Sequence, residues 1–293
     1  MIEFIDEHKM RWGVEPICRV LPIAPSTYYA ARRRSPAPRA LRDEYLKGEI
    51  KRVYDDNYRV YGAAKVWAQL KRESITVARC TVERLMRQMG LRGAVRGGRH
   101  RTTIPADNPS PPADLVNRAF SAETPNRLWL ADLTYVRTCP GYVYVAFIID
   151  AFARMIVGWQ ASRSLRTDLC LDALEQAIWA RQDQGLNELV HHSDRGVQYL
   201  SIRYSERVSD AGGVTSVGSR GDSYDNALAE SVIGLYKTEL IRNKGPWSGL
   251  DDLEIATLEW VDWWNNRRLL EPIGRIPPAE AEAAYYSQVV PGQ

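Results

Sequence analysis

The sequence predicts an α/β domain, a mixed five-stranded sheet with flanking helices, preceded by all-α segments. Two observations predict it. From about residue 120, short apolar stretches with strand texture alternate with longer amphipathic ones, whereas the residues before it show helical spacing. The charge divides near the same place. Residues 1–113 hold 22 Lys and Arg against 12 Asp and Glu, a net +10, while residues 114–293 hold 17 against 24, a net −7. A basic front and an acidic back suggest one part that holds a polyanion and another with a different task.

The front half reads as two helical blocks and a tether. Val14, Ile17, Val20 and Leu21 recur at i, i+3, i+6 and i+7. "PIAPST" then breaks the helix, and "YYAARRR" restarts it from a Ser/Thr cap. Helix, turn and capped helix ending in arginines is compatible with a helix-turn-helix, although any helical hairpin reads the same way. "SPAPR", residues 35–39, reads as an extended linker. The second block, "VYGAAKVWAQLKRESITVARCTVERLMRQMGLRG", repeats the design, with stripes of Val66 and Leu70 and of Val82, Leu85, Met86 and Met89, and with Gly90 as a stop. Lys65, Lys71, Arg72, Arg79, Arg84 and Arg87 are left for outer faces, where they can meet phosphate. "RGAVRGGRHRTTIPADNPSPP" is basic and rich in Gly and Pro, a tether able to lie along DNA. The segments are therefore 1–60, 61–95 and a linker, 96–119.

The back half supplies the sheet. "RLWLADLTYVRT", "YVYVAFIID" and "RMIVGWQAS" read as three consecutive strands. "TDLCLDALEQAIWAR" is an amphipathic helix, "LNELVHHSD" a short strand and "GGVTSV" a fifth. "YDNALAESVIGLYKTELI" and "LDDLEIATLEWVDWWNNRR" are the closing helices. This is a ribonuclease-H-like order, over residues 120–245, with a helical extension over 246–293. Trp260, Trp263 and Trp264 fall where core or subunit packing is favoured over base stacking.

Several function classes are excluded by composition. No apolar run approaches the ~20 residues that span a bilayer, and the first residues carry acids where a signal peptide needs an apolar run. Cys18, Cys80, Cys139 and Cys170 form no CxxC pair, and His8, His100, His191 and His192 add no finger spacing, which fits a reducing cytoplasm and leaves no zinc sphere.

The acids point to chemistry. Asp132 stands within an apolar strand, where a lone carboxylate costs several kcal/mol unless a charge meets it. Asp194 follows the fourth strand in "HHSDRGVQY", beside Arg195. On the helix after "SYDN", Ala229, Val232, Ile233, Tyr236 and Leu240 form the core stripe. Asn226, Glu230, Gly234 and Lys237 share the neighbouring face. Each acid has a plainer reading alone: a solvated face for Glu230 and Lys237, and for Asp194 a cap on the helix in "VQYLSIRYSERV". Together they favour a shared cation site. Three carboxylates without a softer ligand suit Mg²⁺ or Mn²⁺, and two such ions ~4 Å apart clamp a phosphodiester. Asp132 would bridge both ions, with Asp194 and Glu230 completing one each, and Lys237 would meet phosphate. The histidines read as structural or phosphate-contacting.

"PNRLWLADLTYV", "YVYVAFIIDAFARMIVGW", "HHSDRGVQY", "SRGDSYDNALAESVIGLYKTEL" and "WWNNRRLLEPIGRIPPAEAE" closely resemble the second-frame (orfB) transposase of the insertion-sequence-three family, a DD(35)E group with a retroviral-integrase-like core. The basic second block resembles the helix-turn-helix that precedes that core. The resemblance implies a ribonuclease-H-like fold, two Mg²⁺ or Mn²⁺ ions, and strand cleavage with strand transfer at insertion-sequence ends. It implies Asp132, Asp194 and Glu230 as both catalytic and metal-binding residues, with 61 and 35 residues between them in the chain. DNA contacts are expected at Lys237, Arg195, Asn226, Lys65, Arg79, Arg84 and Arg87. Expected partners are double-stranded DNA at element ends and target, further copies of the chain on DNA, and a first-frame (orfA) protein or fusion. The expected location is the bacterial cytoplasm, at the nucleoid when DNA is bound. A catalytically silent copy that only occupies the ends is the alternative. Leu270 stands where many relatives carry a histidine, and Pro22 where many carry glycine.

Overall fold

A computed structural model describes residues 1–35, 37–95, 116, 121–194, 198–199, 201–217 and 226–289. The chain forms two compact units, Met1–Arg52 and Val53–Gln293.

The first unit is helical: α1 (Ile2–Trp12), α2 (Val14–Val20), α3 (Pro25–Arg33) and most of α4 (Pro38–Asp56). Ile5, Ile17, Cys18 and Tyr28 make its small core. Gly13, at φ 77°, ends α1 and admits α2 at once, a backbone turn that a side chain would strain. Two expectations need correction. α3 starts at Pro25, with Ala24 at the cap position, so Ser26 and Thr27 lie inside its first turn and cap nothing. Proline suits the first helical position, because its fixed φ is already helical and its missing N–H would have had no partner there. The expected linker over 35–39 is shorter, since α4 takes up Pro38.

In the second unit, α5 (Ala63–Arg72) and α6 (Arg79–Gln88) pack on each other through buried Val66, Leu70, Val82, Leu85 and Met86. The stretch before α5 is tied to the C-terminal part of the core. The Leu269 N–H donates to the Tyr61 hydroxyl at 2.8 Å, and Trp263 Nε1 donates to Asn57 Oδ1 at 3.0 Å.

The sheet comprises β1 (Leu128–Thr138), β2 (Gly141–Asp150), β3 (Met155–Ser162), β4 (Val190–Ser193) and β5 (Val214–Val217), in the order β3-β2-β1-β4-β5. β1 to β3 pair antiparallel, and β4 and β5 run parallel to β1. The apolar β1 and β2 make a core strand pair, as their near-continuous hydrophobic runs require. One face, through Trp129, Ala131, Ala146 and Ile148, packs on α7 (Thr167–Arg181) and α8 (Ile202–Asp210). Gly158 lets β3 and α7 approach closely, since a Cβ there would lie 2.2 Å from the Ala173 carbonyl oxygen.

The other face carries Phe147, whose ring meets Tyr236 and Trp260 at 5.0 and 6.3 Å between centroids. These come from α9 (Ala227–Tyr236) and α11 (Leu250–Asn266). α9 does not continue as a regular helix, as its stripe predicts. It widens into a π-turn over Lys237–Ile241, then closes with α10 (Arg242–Lys244). α12 (Pro278–Val289) ends the described chain. The expected tryptophan group is core: Trp260, Trp263 and Trp264 are fully buried. Beside them, Asn265 both accepts from Ile156 N and donates to Ile156 O at 2.9 Å, satisfying the open edge of β3. Leu270 is buried and bridges Ile276. Among the described residues no helix is long and apolar enough to cross a membrane.

Candidate active site

β4 pairs with β1 only from Leu128 to Ala131, opposite Val190 to Ser193. Asp132 and Asp194 are the next residue on each chain, so the register sets them side by side where β4 reaches its carboxyl end and β1 runs on. In open α/β sheets the ligand crevice lies at such strand ends. Asp132 pairs with Phe147 across β2 and so lies on the sheet face that meets α9. The start of α9 is fastened there. Asn226 stands at its cap position and donates from Nδ2 to the Ala131 carbonyl at 2.9 Å, one residue before Asp132. Glu230 follows one turn along, its N–H bonded to Asn226 O.

Asp132, Asp194 and Glu230 are each half-buried. The Asp132 carboxyl is held well above the ordinary carboxylate range, first by burial and then by the negative charges of Asp194 and Glu230. The Leu133 N–H, donating at 2.8 Å, and the Lys237 ammonium oppose this. Lys237 itself is lowered by burial and partly restored by Asp132. Its Nζ lies 5.0 Å from the Tyr135 ring centre, three residues along β1 from Asp132. Tyr135 is a neighbour that reading for acids alone overlooks; its signal is an aromatic in the same strand. Among the described residues, no three acidic, histidine or cysteine side chains are gathered closely enough to enclose a metal ion as they stand. The donor set is nevertheless all carboxylate and accumulates negative charge around Asp132, the chemistry that a hard divalent cation relieves.

The plainer reading of Asp194 is overturned. α8 starts at Ile202 and is capped by Ser201, whose hydroxyl accepts from Tyr204 N, so Asp194 caps no helix there. The two histidines are structural. His191 Nε2 lies 3.0 Å from the Tyr204 hydroxyl, and His192 Nδ1 lies 2.9 Å from Ser216 Oγ on β5. Burial holds His191 down to about 4. Arg195 lies outside the described residues.

The expected DNA contacts of the second helical block are not gathered at this site. Lys65 turns inward: Nζ lies 5.2 Å from the Tyr61 ring centre, and burial with Arg268 nearby lowers its pKa to about 8, which speaks against a phosphate contact there. Arg79 pairs with Glu83 on its own helix at 2.8 Å. Arg84 is partly exposed and Arg87 exposed on α6.

A mixed five-stranded sheet of this order, with Asp132 and Asp194 adjacent where β4 ends and a helix bearing Glu230 fastened to β1, fits a polynucleotidyl-transferase core that follows a helical block in the chain. Comparison with known proteins agrees. An integrase core domain family matches residues 122–223, a second integrase core domain family matches 212–278, and an HTH-like domain family matches 40–99. The transposase for insertion sequence element IS629 of Shigella sonnei is 55% identical over 294 residues, covering 99% of this chain and 98% of that protein. A Mycobacterium tuberculosis protein named as transposase for insertion sequence element IS986/IS6110 is 57% identical over 271 residues, covering 92% and 98%. A solved structure of the HTLV-2 integrase catalytic core domain in complex with magnesium has 17% identity and a TM-score of 0.43, covering 55% of this chain and 98% of that one. The chain belongs to the insertion-sequence-three family of transposases. It is a DNA transposase, an enzyme of the polynucleotidyl-transferase class, with DNA-binding domains.

Proposed function

We propose that Asp132, Asp194 and Glu230 are the catalytic acids, and that they draw together on a pair of Mg²⁺ or Mn²⁺ ions when DNA ends are engaged. One observation supports this reading: Asp132 feels the charges of both other acids, Asp194 beside it where β4 ends and Glu230 on the helix that the Asn226 bond fastens to β1. Asp132, Asp194 and Glu230 would hold two divalent ions there, which would supply activation of the attacking oxygen and stabilisation of the leaving one.

The chain's own residues do the rest. Asn226 fixes the start of α9 to β1, so Glu230 is positioned from a rigid strand. Lys237 offers a cation to a DNA phosphate beside the acids. Arg84 and Arg87 on α6, with Arg195, hold the DNA backbone, where each phosphate contact releases condensed counterions. The reaction is cleavage at insertion-sequence ends followed by transfer of the 3′-hydroxyl end to target DNA, performed by several copies on DNA and with a first-frame protein, separate or fused, as partner.

The test is a cleavage and strand-transfer assay on end DNA with Mg²⁺. Asp132→Asn, Asp194→Asn and Glu230→Gln should each reduce product at least 10³-fold while the purified proteins keep the wild-type unfolding midpoint within a few degrees. Near-normal product from any one of them overturns its assignment.

A further inference from the structure

β1 outruns β4. Beyond Ala131 it pairs in register only with β2, and the hairpin of β1 and β2 projects past the acids. Alternation along this hairpin puts Tyr135 and Arg137 on one face with their partners Tyr144 and Tyr142. Closer to the core the same face is apolar and covered: Leu133 and Ala146 belong to the packing against α7 and α8, and Tyr144 still touches it. Further out the cover ends. Tyr135 is 45% and Tyr142 53% exposed, and Arg137 is exposed. The Tyr135 and Tyr142 rings stand edge to face, with centroids 5.6 Å apart. Large aromatics left half in water on a strand end contribute little to the core, and an arginine among them makes the face cationic.

We propose that this face is a binding platform for unpaired bases at a DNA end, the rings stacking bases while Arg137 and Lys237 meet the adjoining phosphates. The proposal rests on the reading of the acids given above, because it is continuity with them that selects the occupant. Tyr135 lies roughly 10 Å along the strand from Asp132, at ~3.3 Å per residue, on the opposite face of β1 and past the point where β4 stops covering its edge, a distance that about three nucleotides at ~3.4 Å each can span around that edge. Lys237 joins the two places, standing over the Tyr135 ring while sharing the field of Asp132. Inside a duplex each base already has neighbours on both faces, and a blunt end opens only the outer face of its last pair; a frayed or single-stranded base can swing out and offer its π-face to a tyrosine. Aromatic rings interleaved with cations are the usual means of holding such strands without regard to sequence. When a phosphate attracts Lys237, the Tyr135 ring loses its cation and gains a face for a base.

The experiment measures binding of the full chain in EDTA, where no strand is cut, so its outcome does not depend on the assignment of the acids. Two DNAs share one insertion-sequence end, one blunt and one with three unpaired terminal nucleotides carrying 2-aminopurine. Tyr135→Ala and Tyr142→Ala should weaken the unpaired-end complex roughly 5- to 100-fold and leave blunt binding within twofold. The phenylalanine variants at both positions should restore affinity, and 2-aminopurine fluorescence should be quenched on wild-type protein and bright on the alanine variants. Arg137→Gln should lower the salt dependence of the unpaired-end complex with the quenching kept. Equal loss on both DNAs, no loss on either, or unquenched 2-aminopurine on the wild type would overturn the platform. So would alanine variants that change self-association but not DNA binding, which would make the face a protein interface.

Discussion

The ion pair between Glu239 and Arg268 is the sharpest place to perturb this protein. Glu239 lies in the π-turn just after Lys237, and Arg268 follows α11. Arg268 Nε and Nη2 donate to the two Glu239 oxygens at 2.9 and 2.6 Å, and the side chains are 3% and 5% exposed. The guanidinium lies 4.5 Å from the Trp264 ring centre and 5.7 Å from that of Trp263. At about 4 Å between charges and an effective dielectric of about 20, the attraction is about 4 kcal/mol. Removing one partner strands the other charge away from water and costs about 3–5 kcal/mol. Glu239→Gln, which keeps the shape, should therefore cost about 3 kcal/mol. Arg268→Met should cost at least as much, since it also loses the stacking on Trp264. The double variant should cost clearly less than the sum, with a coupling of about 2–3 kcal/mol. Urea unfolding followed by tryptophan fluorescence reports this directly, because Trp263 and Trp264 lie against the pair. Single losses under about 1 kcal/mol, or strict additivity, would show that the pair does not hold the π-turn to α11.

Other expectations follow from the same geometry. Gly158→Ala puts a methyl 2.2 Å from Ala173 O and 2.9 Å from Ala177 Cβ, so β3 and α7 must separate, at a cost of about 2–4 kcal/mol in urea unfolding; a loss under 0.5 kcal/mol would mean the contact yields easily. His191 is held down to about 4 by burial, so its unfolded form takes a proton first. Its contribution is whole above pH 6.5 and is lost as pH falls toward 4, by up to about 3 kcal/mol. His191→Gln should flatten the unfolding free energy across that window, and a slope equal to wild type would refute this. Arg84→Ala and Arg87→Ala should each lower the slope of log affinity against log salt by about 1 on end DNA; unchanged slopes would remove α6 as a phosphate contact.

Much of the fold is legible in local pattern. β1, β2 and β3 fall where the apolar runs place them, and α7 spans the whole of "TDLCLDALEQAIWAR". Strand alternation and helical stripes need only neighbours in sequence, and burial enforces both. Asp132 is conspicuous for the same reason, as a charge inside an apolar run. Where the signal is a single residue it fails. The Ser/Thr cap expected before Tyr28 yields to Pro25, and helix α1, with Ile5 as its only buried residue, leaves little stripe to find.

Which groups meet across the chain is a different matter. Among 36 acids, nothing local says that Asp194 stands beside Asp132 rather than capping a helix; the parallel register of β1 and β4 decides it, and Ser201 takes the cap. Lys65 carries the same charge as its outward neighbours, yet Tyr61 and Arg268, the latter some two hundred residues away, turn it into a desolvated group. The π-turn at Lys237 departs from the period of its own stripe, and the buried bond from Glu239 to Arg268 accompanies it. Periodicity is a property of one segment in contact with an averaged interior. Electrostatic neighbours, close approaches and half-covered rings are properties of two segments in contact with each other, and only the folded chain brings those together.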